Sequence, residues 1–142
     1  MNTELLQGNK VAEVIQVLRA GKDFYQHLNR QVNDHDIQQV ISNMIKQHDL
    51  AIHDLQSFIV PKPNASERES LAKIIVNIYG QLIEVISFER LHVFVDQLEE
   101  LENKTIRLID AAITMPQPQI YKQYLQRVRV SIQECHDQIK LL

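Results

Sequence analysis

The chain has 142 residues, a formal charge of −3 and a charged fraction of 23%, the size and balance of one ordinary globular domain spanning 1–142. No basic stripe runs along it, so nucleic acid is not an expected partner. The single cysteine, Cys135, excludes an intramolecular disulfide and a multi-thiolate metal cluster built from this chain alone.

Three glycines and four prolines leave little material for tight sheet turns, and the apolar residues recur at helical spacing, so the fold class expected is all-α. The start, MNTELLQGNK, has no cationic segment followed by an apolar run, and no apolar stretch reaches the length of a membrane span. A cytoplasmic location and no membrane contact are the expectations.

Residues 2–8 are expected to form a loose helical turn ending near Gly8. A first long helix follows, from about Asn9 to Val32, with the stripe Val11, Val14, Leu18, Gly21, Tyr25, Leu28 and Val32. Gly21 on that stripe costs about 1 kcal/mol against alanine, which predicts close approach by a neighbouring helix. Lys22 lies at the edge of the same face. Asn33 or Asp34 suits an N-cap. The second helix then runs to about Ile59, with Ile37, Val40, Ile41, Met44, His48, Ala51, Leu55 and Phe58 on its stripe.

Pro61 and Pro63 break the pattern, and Ser66 with Glu69 forms a plausible capping box for a third segment running from Glu67 to about Ile86. Leu71, Ile75, Ile78, Leu82 and Val85 mark one face of it; Val76, Tyr79 and Ile83 add apolar area on a second side. A helix apolar on two sides is deeply buried or at an interface, and Val76, Tyr79 and Ile83 are the expected interface residues. A break is expected near Ser87, although the pattern also admits one helix continuing through Gly80 over residues 67–113.

The stretch Phe88–Ile113 places Leu91, Val95, Leu98, Glu102, Thr105 and Ile109 in one narrow stripe. A carboxylate at the centre of that face is the sharpest feature of the sequence. It is expected either as a core acid paired with Lys22, His48 or His136, or as a metal ligand. Thr114-Met115-Pro116-Gln117-Pro118 ends this helix. A last helix from about Gln119 carries Tyr121, Leu125, Val128, Ile132, Cys135, Ile139 and Leu142, with His136 on its flank.

Two hairpins joined by a long connection with its own helix make a ferritin-like plan: an antiparallel four-helix bundle with one long crossover. Three stretches carry a closer resemblance: Leu18-Arg-Ala-Gly-Lys-Asp-Phe-Tyr25, Leu98-Glu-Glu-Leu-Glu102 and Cys135-His-Asp-Gln-Ile-Lys-Leu-Leu142. In these the chain resembles the ferritin-like superfamily, and more narrowly the small bacterial ferritin-like stress-protein family of unknown function. The resemblance implies a bacterial protein linked to stress response. It also raises the question of a di-iron site, built from one Glu on each of two helices and Glu-x-x-His on each of two others.

The chain departs from that donor set. Arg19 stands where the first helix would supply a carboxylate. His48 and Ala51 replace Glu and His on the second helix, and Asp49 with His53 is spaced four apart on its polar side. Gln133 precedes His136 on the last helix. Only Glu102 is retained on the third main helix, so no complete di-iron centre and no catalytic residue is expected. A core polar network of Lys22, Tyr25, His48 and Glu102 is expected in its place. The leading expectation is a non-catalytic or weakly catalytic protein without cofactor, acting by self-association as a homo-oligomer (a dimer) or through a protein partner. The alternative is a reduced iron or manganese site on Glu102, His48 and His136.

Overall fold

The structure, a computed structural model, describes residues 3–56, 58 and 70–142, with side chains from Lys10 onward. Among these residues every regular element is helical: α1 (Thr3–Asn29), α2 (His35–Leu55), α3 (Leu71–Val85), α4 (Leu91–Ile113) and α5 (Gln119–Ile139), with one 3₁₀ turn (Phe88–Arg90) leading into α4. The all-α expectation holds. No single helix among the described residues is long and apolar enough to cross a membrane.

The caps explain several boundaries. The Asp34 carboxylate accepts the Ile37 N–H at 3.0 Å and starts α2. Ser70, in an extended conformation, accepts the Lys73 N–H at 3.1 Å, so α3 begins at Leu71. The proposed Ser66–Glu69 capping box and the Pro61–Pro63 break lie outside the described residues. At the other end of the chain's first segment, α1 runs without interruption from Thr3, and no separate turn ends at Gly8. Residues 71–113 form two helices, not one: Ile86 and Ser87 are extended, and the axes on either side differ by 116°. Ser87 makes no side-chain cap.

The helices pack with a definite sense. Asn29 meets Ser42 and Lys22 meets Asp49, so α1 and α2 are antiparallel. Met44 meets Cys135 and Asp54 meets Arg127, so α2 and α5 are antiparallel as well. The link at residues 114–118 and the Asp110–Arg129 pair fold α5 back along α4. It follows that α1 and α5 run one way while α2 and α4 run the other. α1 lies against α2, α3 and α4, and α5 closes against α2 and α4. α3 is therefore more than a connection: it buries Ala72, Ile75, Tyr79 and Leu82 and packs along α1. The core is continuous from Val11 and Leu18 through Met44 and Ile75 to Leu98, Ile132 and Ile139.

Candidate functional site

All five helices send side chains to one point around Glu102, which is fully buried. Its position follows from the stripe Leu98–Glu102–Thr105–Ile109, which forces the fourth-residue carboxylate inward with its apolar neighbours. From α1 the Tyr25 hydroxyl donates to Glu102 Oε1 at 2.8 Å; from α3 the Tyr79 hydroxyl donates to the same oxygen at 3.4 Å. From α2 His48 Nε2 stands 3.8 Å from Oε1, within ion-pair range but beyond a hydrogen bond. The other carboxylate oxygen, Oε2, is buried without a hydrogen-bond partner. From α5 the Cys135 thiol lies 3.7 Å from both His48 Nδ1 and the Met44 carbonyl.

His48 is held by its own helix. Its Nδ1 lies 2.8 Å from the Met44 carbonyl one turn back; since a carbonyl only accepts, Nδ1 carries the proton and Nε2 faces Glu102. Gly21 makes room for this ring. A Cβ there would lie 3.0 Å from His48 Nε2, 3.3 Å from its Cδ2 and 3.4 Å from the Tyr79 hydroxyl. The close approach expected at Gly21 thus comes from α2 and α3 together. Phe24 packs against both tyrosine rings, at centroid distances of 5.2 and 5.5 Å, and lines the apolar side of the cluster.

Burial dominates the electrostatics. It pushes the Glu102 carboxyl above the ordinary carboxylate range, while the facing His48, the two tyrosine hydroxyls and His136 pull it back without prevailing. Burial, then the Glu102 charge, holds the Tyr25 and Tyr79 hydroxyls well above the usual phenol value, so both are neutral donors. The same two causes raise the Cys135 thiol, which stays protonated and unreactive near neutral pH.

The structure brings Tyr25, His48 and Glu102 together and separates the other expected members. Lys22 is not in the core network: it is partly exposed and pairs with Asp49 across the α1–α2 surface, because a long flexible stem at the edge of a buried face reaches water more cheaply than it reaches a dry carboxylate. His136 turns its Nδ1 toward the Asp137 carboxylate and Gln133. Of the expected interface residues, Tyr79 is buried at Glu102, and Val76 and Ile83 are half-buried against the core. The signal for Tyr79 was present in the sequence, since Ala72, Ile75, Tyr79 and Leu82 form a three-four-three stripe. It competes with the Leu71–Ile75–Ile78–Leu82–Val85 stripe on the same strongly apolar helix.

These residues do not fit a di-iron centre. One carboxylate faces one imidazole, Ala51 offers no donor, and among the described residues no group of three or more His, Cys, Asp or Glu side chains is arranged to hold a metal ion. A separate surface hollow of about 460 Å³, between α1 and α2, is lined by Arg19, Lys22, Asp23, Asp49, Ile52, His53 and Gln56. Lys22 pairs with Asp49 across it, and it shares no lining residue with the Glu102 cluster. Comparison of the chain with models of known families, with curated proteins and with solved structures returned no match.

Proposed function

We propose that the protein is a ferritin-like helical bundle that works by self-association rather than by catalysis. The helix senses support the ferritin-like part of this reading. A simple up-and-down bundle would alternate all four long helices, whereas α2 and α4 here run the same way, as a single long crossover requires.

One observation carries the self-association: the outer side of α3. This fifteen-residue helix contains one lysine and one glutamate as its only charged residues. It leaves Ile74 and Val85 exposed, at 37% and 50%, with Ile78 half-buried between them. A charge-poor helix showing an aligned apolar stripe to water marks an interaction surface. Sedimentation equilibrium of the purified full chain tests the reading, with a concentration-dependent dimer expected. A protein monomeric at every concentration would reject it.

A second reading is favoured by the unpartnered Glu102 Oε2. His48 also has the arrangement usual in metal-binding histidines, with one ring nitrogen anchored on a carbonyl and the other turned toward the carboxylate. A reduced iron or manganese site on Glu102 and His48, distinct from a di-iron centre, would use both. Elemental analysis of protein purified without chelator decides it: about one ion per chain supports this site, and metal far below that rejects it.

A further inference from the structure

We infer that α3 is the dimerisation element and that it pairs antiparallel with α3 of a second copy of this chain across a two-fold axis; this rests on the self-association reading. The pattern on the helix is the first argument. Ile74, Ile78, Gln81 and Val85 follow one another at spacings of four, three and four, the spacing of a seam that packs helix on helix. The series is symmetric about its midpoint. In an antiparallel pair Ile74 therefore faces the partner's Val85, and Ile78 faces the partner's Gln81, with every contact repeated by the two-fold.

Charge is the second argument, and it selects the partner and the direction. Lys73 and Glu84 are both exposed and flank the stripe on the same side, at opposite ends of α3. A two-fold antiparallel pair brings Lys73 of each copy beside Glu84 of the other. A parallel pair, whose two-fold runs along the helices, puts these side chains on opposite sides of the seam and forms neither contact. No partner other than a second copy is guaranteed this complementarity. The seam is short: fifteen residues span about 22 Å, and a single helix of that length covers less than the roughly 800 Å² per partner of a standard interface. The dimer is therefore weak, with a Kd of about micromolar order.

Sedimentation equilibrium from about 1 µM to about 1 mM, on the full chain and on Lys73→Glu, Glu84→Lys, the double reversal and Val85→Glu, tests this. All the altered positions are exposed, and far-UV circular dichroism establishes that each variant keeps its helices. Each single reversal turns two attractive contacts into repulsive ones and is expected to raise Kd about tenfold, and the double reversal to restore it to within about threefold. Val85→Glu is expected to leave a monomer. A wild-type dimer indifferent to Val85→Glu, or one that the double reversal fails to restore, overturns the α3 pairing and leaves self-association standing. A wild type that is monomeric throughout overturns both, and if that monomer sediments with anionic phospholipid vesicles the face belongs to a lipid surface.

Discussion

At Glu102 burial and hydrogen bonding act in opposite directions on one carboxyl, and burial wins. The consequence for stability has a definite sign. A group whose pKa is raised on folding contributes fully below its unfolded value, here 4.5, and loses that contribution as pH rises through the raised value. Wild-type stability should therefore fall relative to Glu102→Gln as pH rises above 4.5, as read by urea unfolding of both proteins at each pH; a difference that stays constant as pH rises would refute the shift. The hydroxyl bonds differ in length, and so should their loss. Tyr25→Phe, which removes the 2.8 Å bond, should cost about 1–3 kcal/mol, and Tyr79→Phe, which removes the 3.4 Å bond, about 0.5–1.5 kcal/mol. Both should move the pH-dependent window upward, because each hydroxyl lowers the Glu102 pKa. Glu102 was legible in the sequence because helical period alone puts it on a buried face. Tyr25 and His48 were among its expected partners, but so were Lys22 and His136, and Tyr79 was not; all five lie near buried faces, and only the packing of five helices decides which reach the same point.

The elements show the same division. Two helical glycines, Gly21 and Gly80, carry similar propensity costs but sit in opposite surroundings. Gly80 is exposed, and a Cβ added there would meet nothing within 4 Å, so Gly80→Ala should stabilise the protein by about 0.5–1 kcal/mol. Gly21→Ala should destabilise it despite the same gain in propensity, because the new methyl meets a His48 ring fixed by burial and by the Met44 carbonyl. Thermal melts of the two variants check the opposite signs. The bend after Val85 is a case where local sequence left two outcomes open. Neither proline nor glycine stands at Ile86–Ser87, and the turn there serves to lay α3 along α1 while α4 runs between α1 and α5. Ser70 starts α3, a cap that the first hydrogen-bonded turn reveals.

For the whole molecule, the proposed dimer through α3 would couple folding to association. The wild-type melting temperature should then rise by a few degrees over a hundredfold increase in protein concentration, and Val85→Glu should melt at one temperature throughout. A wild-type melting temperature independent of concentration would count against association of the folded state. The sequence by itself determined the helical class, most helix positions, the cap of α2 to within Asn33 or Asp34, and the buried place of Glu102, because period and capping act within a few residues of one another. Only the tertiary structure decided that Tyr79 turns inward while Ile74 and Val85 face out, that Lys22 pairs with Asp49, and that α2 and α4 run the same way. Those outcomes depend on contacts between residues far apart in the chain, where several apolar faces compete for one interior and the cost of burying a charge selects which side chains stay outside.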